Sequence, residues 1–147
     1  MEIRDFLALK WQDDGCPLIH PPFLSPIVAD PTWLPPELVP DGSWRLFAHD
    51  VFGLRQYRSD DGLHWQKTSF FVPGAMRAFL YHESGTYFLY YEKYTPLRLV
   101  FAWSRYPLWR SAIALRTSSD FKRWSAEKIV LKPELPWHHE PKRGYAV

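Results

Sequence analysis

Two copies of one turn pattern, 59 residues apart, constrain the fold of this chain more than any other feature of its sequence. The first copy, at 59–65, is Ser-Asp-Asp-Gly-Leu-His-Trp, and the second, at 118–124, is Ser-Ser-Asp-Phe-Lys-Arg-Trp. Each copy follows a segment in which apolar and polar residues alternate, as in a half-buried β-strand. Self-similarity at a period of about 40–60 residues, with about four short strands per copy, is typical of a β-propeller. The alternative is an antiparallel sandwich in which the two turns match by chance.

The composition favours short strands joined by stiff turns. The 147 residues include 14 prolines and only 7 glycines, and aromatic residues make up 18% of the chain. Proline inside a helix removes a hydrogen bond and clashes with the preceding turn, so frequent prolines disfavour long helices. Aromatic residues are enriched in strands. Strands are predicted at 43–48, 53–59, 76–81, 86–91 and 111–117, with 7–11 as a further candidate.

The repeat predicts an all-β fold, namely a β-propeller fragment of about two four-stranded antiparallel blades. One blade cannot bury both of its faces alone, whereas stacked blades can, with aromatic side chains between them. We therefore expect the fragment to be completed by oligomerisation or by a partner chain. The predicted single domain of 1–147 divides into an irregular N-terminal segment (1–26), a first blade (27–69), a second blade (70–131) and the start of a further blade (132–147).

Charge, apolar runs and cysteine content narrow the function class. The net charge of +2 is too balanced to predict a nucleic-acid partner. No run approaches 18 apolar residues, so no membrane span is predicted. The lone Cys16 cannot form an intrachain disulfide, and the charged start Met1–Asp5 is unlike a signal peptide, so we expect a cytoplasmic protein. Basic residues cluster only mildly, at Arg98, Arg105, Arg110 and Lys142-Arg143.

Three features together resemble the five-bladed propeller glycosidases, the superfamily of glycoside hydrolase families 43, 32, 62 and 68. Ala29-Asp30-Pro31 resembles the Ala-Asp-Pro that opens the first blade in family 43. The turns at 59–65 and 118–124 resemble the turns that close blades in the family. The segment 85–91, Gly-Thr-Tyr-Phe-Leu-Tyr-Tyr, resembles the second strand of a blade. The resemblance covers roughly residues 17–131.

The resemblance implies a carbohydrate-directed function with Asp30 as the general base, or as the nucleophile in retaining relatives. Glycoside hydrolysis requires two carboxyl groups that flank the scissile bond. The family takes a second aspartate from the third blade and the acid glutamate from the fourth, and this sequence reaches only the segment 144–147, which resembles the start of a third inner strand. The remaining carboxylates are therefore expected from another chain, or are absent. An Asp-Pro turn without a catalytic role is the alternative for Asp30.

Six further residues are candidate substrate contacts near the predicted active-site end of the blades. They are Trp33, His49, Asp50, Arg77, Glu92 and Trp103. His49 and Asp50 follow the second strand, whose exit loop is expected to border the pocket, although an exposed turn explains them equally well. Arg77 occupies the inner strand of the second copy, where it can pair with Asp30 or serve in a structural ion pair. The loop 92–110 also carries Tyr94, Tyr106 and Trp109, which either stack on sugars or pack against a neighbouring blade or subunit.

No metal or cofactor is predicted. His138-His139-Glu140 places adjacent histidines on opposite faces of a strand, so the two cannot easily share one ion, although Glu140 is a candidate stand-in acid. Cys16 lies in no nucleophile motif, and the sequence contains no glycine-rich phosphate loop.

Two hypotheses follow. In the first, the chain is a hydrolase of furanosides or xylosides, with Asp30 as base and the missing blades supplied by a complementary half-propeller chain or by the rest of a longer protein. In the second, it is a non-catalytic carbohydrate-binding or structural half-propeller that forms a homo-oligomer through open blade edges. Copies of a two-blade unit close only into rings with an even number of blades. A gene fragment without a function of its own is a third possibility.

Overall fold

The computed structural model describes residues 15–94 and 111–134, which form two four-stranded antiparallel sheets. The first sheet contains β1 (Ala29–Leu34), β2 (Trp44–His49), β3 (Gly53–Ser59) and β4 (Gln66–Pro73). The second contains β5 (Ala75–Glu83), β6 (Thr86–Tyr94), β7 (Ser111–Ser118) and β8 (Lys128–Leu131). Within each sheet the strands are ordered as in the sequence, and a 3₁₀ turn, Pro36–Leu38, is the only helical element in the described ranges. The all-β class and the four-stranded sheets predicted from the sequence are confirmed.

The two matching sequence turns have the same hydrogen-bond network. In the first turn, Ser59 Oγ accepts from the amides of Asp61 and Gly62, and Asp61 Oδ1 accepts from the two amides that follow. In the second, Ser118 Oγ and Asp120 Oδ1 accept from the corresponding four amides. The serine hydroxyl also donates to the aspartate in both turns. The spacing Ser-x-Asp is therefore needed because these two side chains satisfy four turn amides.

The strand registers of the two sheets also correspond. Each first strand contains a β-bulge, between Ala29 and Thr32 in β1 and between Met76 and Phe79 in β5. The first residue of each bulge has a positive φ, +50° at Asp30 in β1 and +49° at Arg77 in β5. Asp30 and Arg77 are therefore structurally equivalent positions of the repeat.

A mixed aliphatic and aromatic core joins the two sheets. From the first sheet, Phe47 contacts Phe121 and Trp124 of the second, with ring centroids 6.4 and 5.6 Å apart. The first strands of the two sheets, β1 and β5, lie beside each other, and the Leu80 amide donates to Thr32 Oγ1 over 3.2 Å. The buried members of this core are Leu34, Val39, Phe47, Leu54, Val72, Ala75, Leu80, Tyr87, Leu89, Tyr91, Ala114 and Phe121. Each sheet thus covers one face of the other.

The connection between the sheets is short and close-packed. β4 extends through Pro73, past the expected blade boundary at residue 69, and only Gly74 separates it from β5. The Gly74 amide donates to Phe52 O and its carbonyl accepts from the Tyr94 amide. A Cβ at Gly53 would lie 2.2 Å from Val72 O, so only glycine fits at the start of β3.

No helix within the described ranges has the length and apolar character that a membrane crossing requires.

Candidate functional site

Four of the predicted site residues meet at one end of the first strands. In the first sheet Asp30 follows Ala29, the residue that pairs with His49. In the second sheet Arg77 follows Met76, the residue that pairs with Glu92. Arg77 Nη1 donates to Glu92 Oε2 over 2.8 Å, and Arg77 Nε lies 4.0 Å from Asp30 Oδ2. His49 Nδ1 lies 3.7 Å from the same Asp30 oxygen. We call this group of four residues the polar cluster.

The bulge in β1 presents the Asp30 carboxylate outward. Its side chain is 52% exposed, whereas those of His49 and Glu92 in the cluster are buried. Aspartate adopts the left-handed backbone conformation more readily than most residues, so the positive φ of Asp30 causes little strain. The result is a half-exposed carboxylate with the Arg77 guanidinium 4.0 Å away.

His49 forms the buried floor of the polar cluster. Its side chain is 8% exposed, and Nδ1 has no hydrogen-bond partner among residues 15–94 and 111–134. Burial lowers the pKa of His49 below its ordinary value, and the positive charge of Arg77 acts in the same direction, while the negative charge of Asp30 opposes both. At neutral pH the imidazole is therefore uncharged, with one ring nitrogen that donates and one that accepts.

Arg77 and Glu92 form the other half of the polar cluster. The Glu92 side chain is 6% exposed, whereas that of Arg77 is 55% exposed. Glu92 and Tyr94 belong to β6, which continues further than the sequence pattern predicts, so they are not part of the following loop. Burial, with the charges of Asp50 and Glu92, raises the pKa of Tyr94 to about 12. Glu92 therefore holds the half-exposed guanidinium from its buried side.

Asp50 lies close to the polar cluster but serves the β2–β3 turn. Its carboxylate is fully buried and accepts from the amides of Phe52 and Gly53, at 2.8 and 3.1 Å, and from Arg55 Nε. All of these partners lie within five residues along the chain. Asp50 therefore fixes the turn that follows His49 and does not present an oxygen to a ligand.

Trp33 lies apart from the polar cluster, in an apolar groove on the outer face of the first sheet. Its ring packs at 5.5 Å from Trp44 and remains 54% exposed. The groove has a volume of about 660 Å³, and Asp61 contributes its only charged side chain among the described residues. Sequence reasoning missed this groove, although the alternation Trp44-x-Leu46-x-Ala48 on a strand was a signal for it.

Several sequence predictions fall outside the described residues. They concern Trp103, Tyr106 and Trp109 of the loop, the strand candidate 7–11, the pair His138-His139 with Glu140, and the segment 144–147. Within residues 15–94 and 111–134, no three His, Cys, Asp or Glu side chains are grouped closely enough to hold a metal ion.

A second polar network, not foreseen from the sequence, lies deeper between β6 and β7. Tyr91 Oη donates to Glu127 Oε2 over 2.7 Å and accepts from Arg116 Nε, while Lys93 Nζ lies 3.2 Å from Glu127. Burial and the bond to Glu127 raise the pKa of Tyr91 well above its ordinary range. The network satisfies its members internally, so it stabilises the second sheet and offers no open site.

No family model matches the sequence, and no curated protein matches it.

The chemistry of the polar cluster suits a neutral, hydroxyl-rich ligand. Asp30 supplies acceptor oxygens, and the exposed edge of Arg77 supplies donors. Two carboxylates, one guanidinium and a neutral imidazole give these four residues a net charge of −1, which does not favour an anion. Of the two carboxylates only Asp30 is exposed.

Proposed function

We propose that the chain binds carbohydrate at the polar cluster, and that Asp30 serves there as the general base of a glycoside hydrolase site completed by further propeller blades. The observation that carries the proposal is the half-exposed Asp30 carboxylate within reach of Arg77 at the bulge of a first strand. Furanosides and xylosides, the substrates that the family resemblance implies, are neutral and rich in hydroxyls, as the cluster requires.

The second catalytic carboxylate must come from outside the described residues. Glu92 is buried and bonded to Arg77, so it is not placed to protonate a leaving group that approaches Asp30 from the exposed side. Inverting enzymes separate their two carboxyl groups by about 6.5–9.5 Å and retaining enzymes by about 5–5.5 Å. Blades from a partner chain, or from the rest of a longer protein, would supply the acid.

The alternative proposal is a non-catalytic carbohydrate-binding half-propeller. The specific observation in its favour is that Arg77 contacts both carboxylates of the cluster, of which only Asp30 is exposed. Such a site binds hydroxyls but lacks the acid–base pair that hydrolysis needs.

Titration with neutral sugars tests the proposal. We expect methyl arabinofuranoside or xylobiose to bind, as followed by calorimetry or by NMR shifts, and Asp30→Asn to weaken binding by about tenfold, because it removes charge-assisted hydrogen bonds. The matched control is Asp60→Asn, an exposed carboxylate that pairs with Arg58 in the first turn, and it should leave binding unchanged.

Turnover separates the two proposals. Hydrolysis of an aryl arabinofuranoside or xyloside that is lost in Asp30→Asn favours the hydrolase, whereas binding without turnover in the assembled protein favours the binding module. If neither sugar binds, or if both aspartate variants bind equally well, the polar cluster is not a carbohydrate site.

A further inference from the structure

The two sheets pack on each other inside the chain, and the outer face of each sheet is structurally equivalent to one side of that internal contact. The first sheet packs on the second through the side of Phe47, Leu54 and Val72, which we call its forward face. The second sheet contacts this forward face through its own opposite side, which we call its rear face. By the matching strand registers, the rear face of the second sheet is equivalent to the groove of the first sheet. That rear face consists of Leu80, Tyr87, Leu89, Tyr91, Phe121 and Trp124, and the equivalent groove residues are Trp33, Trp44, Leu46, Ala48, Gly62 and Trp65.

The forward face of the second sheet is equally open and apolar. By the matching strand registers, the residues of this face are equivalent to the first-sheet residues that pack on the second sheet. They are Phe79, Tyr81, Phe88, Tyr90, Ile113, Leu115 and Leu131. Phe79 is 60% exposed and Leu131 is 51% exposed. Exposed contiguous apolar surface of this kind is typical of interfaces.

The two open faces replace a charged contact of the paired interface by aromatic side chains. In the paired interface, Arg45 lies over the Phe121 ring at 5.5 Å. The equivalent of Arg45 on the open forward face is Phe88, and the equivalent of Phe121 in the groove is Gly62. The open forward face thus carries an apolar ring where the paired interface has a guanidinium. At the Gly62 position the Trp44 ring of the groove takes the place that Phe121 has in the paired interface, since a Cβ at Gly62 would lie 3.3 Å from that ring.

We propose that a second copy of this chain docks head to tail, with the forward face of its second sheet in the groove of the first sheet. The occupant follows from the chain itself, because the groove repeats the geometry of a rear face that accepts a forward face within the same molecule. The groove is poor in polar groups, which disfavours a sugar as its occupant. A head-to-tail contact joins different surfaces of the two copies, so it continues into a closed ring or an open chain.

Mixing two variants tests this arrangement directly. Leu63→Asp alters the groove and Phe79→Asp alters the forward face, and both side chains are 60% exposed, so the fold should survive. By light scattering over a hundredfold concentration range, we expect the unaltered chain to assemble and each variant alone to have the 17.4 kDa monomer mass. An equimolar mixture should give a dimer, because one intact forward face and one intact groove remain. Phe23→Asp, at a fully exposed site outside both faces, is the matched control and should assemble like the unaltered chain.

Three outcomes would overturn the proposal: a monomer at every concentration for the unaltered chain, a mixture that stays monomeric, or assembly of Phe79→Asp alone, which indicates a groove-to-groove contact. Circular dichroism of each variant distinguishes lost docking from lost folding. Asp30→Asn should leave assembly unchanged, so failure of the carbohydrate site and failure of this interface give different results.

Discussion

Replacement of Phe47 by alanine tests whether the two sheets pack as one unit. Phe47 has no exposed surface, and its ring contacts Phe70, Phe121 and Trp124, with two of these contacts edge to face. Truncation of a buried phenylalanine costs about 3–5 kcal/mol, because transfer energy is lost and a cavity remains. Aromatic pairs of this geometry add about 0.5–1.5 kcal/mol each beyond buried area, so we expect the upper part of that range.

The assay is urea unfolding followed by tryptophan fluorescence, at a protein concentration where the chain does not associate. Native proteins are stable by only about 5–15 kcal/mol, so Phe47→Ala should move the midpoint strongly or unfold the chain. The matched control is Phe79→Ala, the same truncation at a site that is 60% exposed, with an expected loss below about 1 kcal/mol. Equal losses in the two variants would contradict the described contact between the sheets.

Three further predictions concern the turns and the titratable groups. Asp50→Ala leaves two turn amides and Arg55 without their acceptor and should reduce the unfolding free energy by about 3 kcal/mol in urea melts, whereas Asp60→Ala should change it little. Ser59→Ala and Ser118→Ala remove equivalent hydroxyls and should each cost about 1 kcal/mol in the same assay, and a large difference between them would contradict the matched turns. Because the pKa of His49 is lowered below 6.5 in the folded chain, the unfolded chain binds the proton more readily, so stability should fall as the pH falls through about 6.5, and His49→Gln should flatten that part of the pH profile.

The strands that the sequence predicts best are those with one clearly buried face. The segment predicted at 53–59 coincides with β3, and the segment predicted at 86–91 lies within β6. β4 and β8 were not located, because outer strands bury little: all four residues of β8 are exposed, and its pattern Lys-Ile-Val-Leu does not alternate. Periodicity reports burial, so it weakens where a strand lies at the edge of a sheet.

The sequence singles out all four residues of the polar cluster as site candidates, and their functional roles stay a prediction. These residues meet because Asp30 with His49 and Arg77 with Glu92 occupy equivalent positions of a repeat. The sequence pattern predicted the equivalent inner-strand positions of Asp30 and Arg77 but placed Glu92 in the following loop. Side-chain direction at a turn depends on local hydrogen bonds, and these direct the Asp50 carboxylate inward to its own turn. The bulges were also invisible in the sequence, since an inserted residue changes the register without any marker residue.

The bulge explains why one repeat position carries an acid in the first sheet and a base in the second. A positive φ is unfavourable for most side chains, more so for arginine than for aspartate, and such strain persists only where surrounding contacts fix it. Arg77 is fixed by its bond to Glu92, whose equivalent in the first sheet is His49. Each bulge residue thus lies beside a buried partner from its own sheet, and the two bulge residues also attract each other across the sheets. If either bulge were regular, its residue would shift to the other face of its strand, and the cluster would lose that member. The polar cluster therefore forms because the same bulge carries aspartate in the first sheet and arginine in the second. The packing of the two sheets brings these two side chains together.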